Sequence, residues 1–97
     1  MQLLNVGHGN TVTMERIVAV INTGSSPARK LKEIAKNDNR LLDVTEGRRT
    51  RSILVLDSGH IVLSSVQTET IGLRMQALQQ GAQLQLLNDE ITKQEEI

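Results

Sequence analysis

The apolar residues of this chain fall into short runs that are separated by polar and glycine-containing segments. Short runs rich in Val, Ile and Leu, bounded by turn residues, are typical of β-strands. They predict strands at residues 2–6, 11–13, 17–21, 41–45, 52–57 and 60–66.

The last two runs are joined by Ser58-Gly59, which is the signal of a two-residue β-hairpin. Such a hairpin places Leu54 opposite Leu63. Both strands are apolar at consecutive positions, so both faces of the sheet require cover. One helix covers one face, and we expect a second helix or a neighbouring subunit on the other.

The pattern changes to helical spacing at residues 27–37, where apolar positions form one stripe and basic residues occupy the outer face. Ser26 is a suitable N-cap, and Pro27 fits the first position of the helix. The apolar stripe consists of Ala28, Leu31, Ile34 and Ala35.

A second helix is predicted at residues 68–80, with Thr68 as its N-cap and Gly81 as its stop. Apolar residues recur at helical spacing beyond Gly81, in a Gln-rich and acidic segment, which predicts a third, weak helix or a frayed end. The whole pattern predicts a small single α+β domain at residues 1–81, with a mostly antiparallel sheet and two main helices. Residues 82–97 form an acidic C-terminal tail.

The composition narrows the functional classes. Among the 97 residues there is no Cys, so a disulfide, a thiol nucleophile and a Cys-based metal site are excluded. Phe, Trp and Tyr are also absent, which excludes the aromatic platforms on which single-stranded bases stack.

The N-terminus lacks the features of a signal peptide, and no apolar run approaches the ~20 residues that cross a bilayer. We therefore expect a cytoplasmic protein without a membrane partner, and a chain this short gains stability from self-association.

The net charge of zero conceals an uneven distribution. Residues 1–81 carry ten basic and seven acidic side chains, whereas residues 82–97 carry one basic and four acidic side chains. A basic body keeps a local positive field even when an acidic tail cancels the total charge. One hypothesis for the tail is that it screens the basic residues at low salt.

The chain lacks the residue spacing of a catalytic or metal site. Asp57, Ser58 and His60 are the residue types of a catalytic triad, but neighbours in one tight turn do not reach triad geometry. His8 is the only other histidine, and no local spacing of His, Asp or Glu indicates a metal site. We therefore expect no enzyme, no cofactor and no bound metal.

The arginine loop, residues 46–51, carries Arg48, Arg49 and Arg51 directly after Gly47. Gly47 permits a tight bend that directs the following side chains outward. Because the planar guanidinium group matches the geometry of phosphate oxygens, the loop predicts a polyanion site, with the DNA backbone as the first candidate. The alternative is a solvated basic turn whose arginines pair with nearby carboxylates.

Arg16 is a further candidate, because it follows the first hairpin-like unit and could lie on the same rim as the arginine loop. The alternative for Arg16 is a surface ion pair with Glu15 or Glu46.

Several motifs of the chain match one bacterial family. They are Gly7-x-Gly9-Asn10, Arg16, Ser26-Pro27-Ala28, Asp43-x-Thr45-x-Gly47-Arg48-Arg49-Thr50-Arg51, Asp57-Ser58-Gly59-His60, Leu63-Ser64-x-Val66-Gln67 and Glu69-Thr70. In these motifs the chain resembles the extracellular matrix regulatory protein RemA family over about residues 1–77. The tail from about residue 78 lies outside the resemblance.

The resemblance implies a cytosolic regulator that binds duplex DNA and, in some bacteria, activates biofilm matrix genes. It also implies ring-shaped homo-oligomers that display arginines. The DNA-contacting residues implied by position are Arg16, Arg48 and Arg49, while Arg51 either contacts DNA or braces the loop. Two alternatives stay open: an oligomeric scaffold whose arginines bind acidic protein segments, and a protein that recognises duplex RNA by its shape.

Overall fold

The computed structural model describes residues 1–95, and for residues 82–86 and 88–95 it describes the backbone alone. A short 3-10 turn, Met14–Arg16, separates the second strand from the third. The α+β class and the mostly antiparallel pairing predicted from the sequence are confirmed. The helices and strands are β1 (Leu3–Gly7), β2 (Asn10–Thr13), β3 (Ile17–Asn22), α1 (Ser26–Asn37), β4 (Leu41–Asp43), β5 (Ser52–Leu56), β6 (Ile61–Ser64) and α2 (Thr68–Glu95).

The strands form two sheets. β1 and β2 pair in a two-stranded antiparallel sheet, and the other four strands form a sheet with the order β3-β5-β6-β4. β5 is antiparallel to β3 and to β6, whereas the short strand β4 runs parallel to β6. The apolar hairpin β5–β6 therefore lies at the centre of the larger sheet.

Elements of the same chain cover both faces of this central hairpin. One face packs against α2 and the β1–β2 hairpin, and its buried cluster is Leu4, Val6, Leu54, Val62 and Ile71. The other face packs against α1, and its buried cluster is Ala28, Ala35, Ile53, Ile61 and Leu63. The sequence left open whether a second helix or a neighbouring subunit covers the second face. A helix of the same chain covers it, so burial of the hairpin does not require a neighbouring subunit.

The hairpin register differs by one residue from the one predicted. Leu54 lies opposite Val62, and Ile53 lies opposite Leu63. The turn contains three residues, because the N–H of Leu56 donates to the carbonyl of His60 over 3.0 Å. Gly59 takes the left-handed conformation that such a three-residue loop requires, with φ 87°. The predicted two-residue turn would have paired residues that in fact belong to opposite faces.

The start of α1 also differs by one residue from the prediction. The N-cap is Ser25 rather than Ser26, and its Oγ accepts a hydrogen bond from the N–H of Ala28 over 3.2 Å. Pro27 lies in the first turn of the helix. A backbone N–H there has no intrahelical acceptor, so the absence of this group in proline removes no hydrogen bond.

The predicted stop at Gly81 is wrong, because α2 continues through it as one helix to Glu95. A glycine inside a helix costs about 1 kcal/mol relative to alanine, which weakens a helix without ending it. The backbone after Gly81 therefore extends α2 and forms no separate third helix. At 1.5 Å per residue, α2 carries residue 82 about 21 Å away from Thr68. Within the described residues, neither helix combines the length and the apolar character needed to cross a membrane.

Ser64 joins the two sheets, which generates a stability prediction. Its fully buried Oγ donates to the carbonyl of Val6 over 2.7 Å and accepts from the N–H of Val66 over 3.0 Å. Ser64→Ala leaves these two backbone groups without their partner, so we expect a loss of about 1–3 kcal/mol in the free energy of unfolding, measured by denaturant titration. The control Ser65→Ala, at a partly exposed position, should change stability by about 0.5 kcal/mol or less. Equal effects of the two variants would contradict the bridging role of Ser64.

Candidate nucleic-acid interface

Backbone and side-chain hydrogen bonds fix the arginine loop at both ends. Asp43 Oδ1 accepts from the N–H of Thr45 over 2.9 Å and from Thr45 Oγ1 over 2.6 Å. The N–H of Arg48 donates to the carbonyl of Thr45 over 3.1 Å, and the N–H of Arg51 donates to the carbonyl of Ser64 over 2.8 Å. Since the Thr45 side chain is buried, the loop is anchored to the domain beside the end of β6.

The tight bend expected at Gly47 is confirmed. Glu46 and Gly47 are both left-handed, with φ 53° and 79°, and the side chains of Arg48, Arg49 and Arg51 that follow are exposed. Among the side chains that the structure describes, residues 1–81 and Leu87, no carboxylate lies within 4.0 Å of these three guanidinium groups. The exposure of the arginines agrees with a solvated basic turn, but their pairing with neighbouring carboxylates is not observed among these side chains.

An open cleft of about 570 Å³ lies between the arginine loop and the β1–β2 turn. We refer to it as the loop cleft, and it is lined by Gly7, His8, Arg48, Arg49, Arg51, Ser65 and Val66. His8 Nε2 lies 3.2 Å from Ser65 Oγ, and His8 Nδ1 lies 3.9 Å from a carboxylate oxygen of Glu46. From the sequence, His8 was considered only as a metal ligand, because its position beside the arginines depends on the packing of β1 against β6.

A second cleft, of about 420 Å³, lies at the N-terminal end of α2 and is called the helix cleft below. It is lined by Asn22, Thr23, Arg49, Arg51, Gln67, Thr68 and Glu69. The predicted cap by Thr68 is not formed, because its Oγ1 is buried without a hydrogen-bond partner among the described residues. The first N–H groups of a helix also lack intrahelical acceptors. Together with Arg49 and Arg51, they make this cleft suited to an anion, although Glu69 offsets part of the positive charge.

Arg16 does not lie on the same rim as the arginine loop. The antiparallel register places Ile17 beside Leu56, so Arg16 is at the end of β5 opposite to Arg51. The two ends are separated by the five residues of β5, or about 17 Å. Arg16 forms an ion pair with Asp57 at 3.0 Å, and this partner is neither of the two carboxylates that the sequence suggested.

Arg40 lies at the same end as Arg16 and is also paired. Its guanidinium group donates to the carbonyl of Gly59 and pairs with Asp38 at 3.0 Å. Both arginines at this end of the sheet therefore have carboxylate partners. At the other end, the three arginines of the arginine loop have no carboxylate within 4.0 Å among the described side chains.

The turn that joins β5 to β6 does not assemble a catalytic triad. Ser58 Oγ lies 2.7 Å from His60 Nδ1, but Asp57 pairs with Arg16 and does not orient the imidazole ring. Among the described residues, no three His, Asp or Glu side chains come close enough together to hold a metal ion. The chemistry that this geometry supports is the binding of an anion by guanidinium and N–H donors.

The fold and this site define a small α+β protein with one exposed, uncompensated arginine loop. The sequence model of the RemA-like family, described as Extracellular matrix regulatory protein A-like, matches residues 3–75. Relatives carry the name "Putative regulatory protein". One from Desulfotalea psychrophila is 68% identical over 84 residues, which cover 87% of this chain and 75% of the relative. One from Oleidesulfovibrio alaskensis is 55% identical over 73 residues, which cover 75% of this chain and 87% of the relative.

The chain belongs to the RemA-like family, as its motifs indicated. The family match ends before the tail, but a relative from Kosmotoga olearia is 42% identical over 93 residues, which cover 96% of this chain and 92% of the relative. Only four of the 97 residues lie outside that alignment, so it includes most of residues 82–97. The tail is therefore shared with at least this relative.

Asp43 provides a test of the loop anchor. The hydrogen bonds that it accepts from Thr45, first from Oγ1 and then from the N–H, lower the pKa of its carboxyl below the ordinary value of 3.8. Burial opposes this effect, and the charge of Lys32 adds to it. A lowered pKa in the folded state stabilises the fold at pH values above 3.8, and this contribution is lost as the pH falls through the folded-state pKa.

Thr45→Val removes the hydroxyl donor and keeps the shape of the side chain. We expect the pKa of Asp43 to rise towards 3.8 in an NMR titration, and the unfolding midpoint to depend less on pH below about pH 4. The matched control is Thr50→Val, because the hydroxyl of Thr50 is not bonded to Asp43. An unchanged Asp43 titration in Thr45→Val would contradict the anchor.

Proposed function

We propose that the protein is a DNA-binding transcriptional regulator that holds the duplex backbone through the arginine loop. The observation that carries the proposal is the set of three exposed guanidinium groups, Arg48, Arg49 and Arg51, with no carboxylate partner among the described side chains. Phosphate contacts supply the sequence-independent part of DNA affinity, and arginine binds phosphate oxygens through paired N–H donors. Membership of a family whose relatives are named regulatory proteins supports a regulatory role.

The proposed mode of recognition is contact with the DNA backbone and its shape. The arginines lie on an anchored loop, and the adjacent helix cleft presents the end of α2 rather than its side. A helix that reads bases must lie in the major groove with its side chains against the base edges.

The family name suggests that the regulated genes include those of the extracellular or biofilm matrix. A regulator of bacterial genes acts in the cytoplasm, and the proposal places the protein there.

Arg16 enters the proposal as a separate and weaker contact. It lies about one strand length from the loop, and Asp57 already neutralises its charge. A duplex held by the arginine loop reaches Arg16 only if it also follows the other end of the sheet, or if a neighbouring subunit brings that end to the same surface.

The protein is further proposed to act as a homo-oligomer, with a ring as the expected form. One protomer offers three or four phosphate contacts, and linking such weak sites gains on the order of 10²–10⁴ in affinity. Apolar side chains are exposed at both edges of the larger sheet: Val18 on β3 is 67% exposed and Leu42 on β4 is 46% exposed. A contact between two different edges is heterologous, and repeated heterologous contacts form a ring when the rotation between successive subunits closes.

The second candidate function is an oligomeric scaffold whose arginines bind acidic protein segments or duplex RNA. The same uncompensated charge supports it, because guanidinium groups bind carboxylates as well as phosphates. Binding assays with duplex DNA, duplex RNA and an acidic peptide separate these candidates.

The arginine loop is tested by Arg48→Ala combined with Arg49→Ala. We expect DNA binding to be lost while circular dichroism and solution mass stay unchanged, because both side chains are exposed. Each lost phosphate contact should also flatten the dependence of log K on log salt by about 0.9. The matched control is Lys30→Ala with Lys36→Ala, which removes two exposed charges from the outer face of α1.

Arginine-to-lysine replacements at the same two positions separate charge from geometry. Full binding by the lysine variant would indicate simple charge neutralisation, and lost binding would indicate paired N–H recognition of phosphate or guanine. Normal DNA binding by the double alanine variant, or loss of its fold, would show that the proposed role of the loop is wrong.

The oligomer is tested by light scattering at micromolar concentration. We expect the wild-type mass to exceed one chain of 10.7 kDa severalfold, and Val18→Asp to reduce it without unfolding the protein. Leu54→Asp is unsuitable for this test, because Leu54 is fully buried in the core of its own chain. A monomeric wild-type protein would contradict both the oligomer and the gain in affinity that it supplies.

A further inference from the structure

The loop cleft and the helix cleft adjoin a third depression that reaches α1. The loop cleft and the helix cleft share Arg49 and Arg51. The third depression, of about 160 Å³, shares Thr23 with the helix cleft and is called the side cleft. It is lined by Thr23, Gly24, Ala28, Arg29, Lys32, Thr50 and Ile53. One continuous surface therefore runs from the arginine loop to the first turns of α1.

The two cations of α1 that line the side cleft lie on one side of the helix. Arg29 and Lys32 are three residues apart, a spacing that places side chains on the same face of a helix. Lys32 also approaches the end of β4, where its charge contributes to lowering the pKa of Asp43. Lys30 and Lys36 belong to the same helix and are exposed, but they line none of these clefts.

The floor between the two sets of cations is made of small residues. Thr23, Gly24 and Thr50 line the side cleft beside Arg29 and Lys32, and Thr23 also lines the helix cleft beside Arg49 and Arg51. The charge balance also favours an anion here, because α1 carries four basic side chains against the single acidic side chain of Glu33. A polyanion that contacts the arginine loop can therefore continue across this floor to α1.

We infer that the DNA path continues from the arginine loop across Thr23 and Thr50 onto the start of α1, where Arg29 and Lys32 contact further phosphates of the same duplex. This inference rests on the proposed function and extends it by two residues that the sequence motifs did not single out. Duplex DNA is favoured over a short acidic peptide because the three clefts adjoin one another and carry cations at both ends, Arg48, Arg49 and Arg51 at one and Arg29 and Lys32 at the other. A regular polyanion presents charge at every step of such a path.

The expected magnitude follows from counterion release. A phosphate contact contributes about 0.9 to the salt exponent, which corresponds to about fivefold in affinity between 0.15 M and 1 M salt. Loss of Arg29 and Lys32 together should weaken DNA binding at 0.15 M salt by about thirtyfold, and should flatten the salt dependence by about 1.8.

The decisive comparison uses two double variants of the same helix. Arg29→Ala with Lys32→Ala removes the cations of the side cleft, whereas Lys30→Ala with Lys36→Ala removes equal charge outside it. We expect the first to show the loss and the flattened salt dependence, and the second to stay within about twofold of wild type, since Lys30 and Lys36 line none of the three clefts and only contacted phosphates release their counterions. Circular dichroism and solution mass verify that both variants keep their fold and assembly.

A second readout does not depend on affinity. Because the chain contains no Cys, Lys32→Cys and Lys30→Cys can each carry a single short photo-crosslinker. We expect cross-linking to duplex DNA from position 32 and not from position 30. Equal cross-linking from both positions, or cross-linking from position 30 alone, would overturn the inference.

The outcomes distinguish this inference from the proposed function. If Arg48→Ala with Arg49→Ala loses DNA binding while Arg29→Ala with Lys32→Ala keeps it, the path over α1 is wrong and the arginine loop remains the DNA site. If the arginine loop variant binds DNA normally, the proposed function is wrong and the inference falls with it. If the α1 variant keeps DNA binding and instead loses binding of polyglutamate, the side cleft is a site for acidic protein, which also overturns the inference.

Discussion

Strands β5 and β6 are buried on both faces, and this two-sided burial determines the arrangement of the remaining elements. Residues that alternate along each strand belong to different clusters, with Leu54 facing α2 and Ile53 facing α1. Each buried aliphatic side chain contributes about 1.5–3 kcal/mol, so leaving either face in water would cost a large part of a small domain's stability. α1 therefore has to pack on one face, and α2 with the β1–β2 hairpin on the other.

The two ends of the central hairpin differ in whether their arginines are paired with carboxylates. At the end formed by the β5–β6 turn, Arg16 and Arg40 are held by Asp57 and Asp38. At the other end, β5 starts directly after the arginine loop, and its cations have no such partners among the described side chains. The two ends thus differ in which carboxylates lie within reach of their arginines: the pairing of β3 with β5 brings Asp57 to Arg16, and Asp38 precedes Arg40 by two residues.

Local patterns were sufficient to predict the strands, α1 and the arginine loop, because each depends on residues close together in the sequence. Two of the errors arose where the outcome depends on one backbone angle or on distant pairing. Gly59 in the left-handed region lengthens the turn by one residue and changes the register, and Ser58-Gly59 alone did not distinguish the two turn lengths. The separation of Arg16 from the loop follows from the antiparallel pairing of β3 with β5, which local sequence does not specify.

The anchored geometry of the loop bears directly on how it binds. Three guanidinium groups within four positions repel one another, and exposure to water and salt keeps that repulsion small. The hydrogen bonds from Thr45, Arg48 and Arg51 already order the backbone, so a ligand does not have to order the loop when it binds.

The acidic tail begins about 21 Å along α2, well beyond the Debye length of about 8 Å at physiological salt. The described backbone of the tail therefore begins more than two Debye lengths from Thr68, which favours an effect of the tail through another subunit over screening within one protomer.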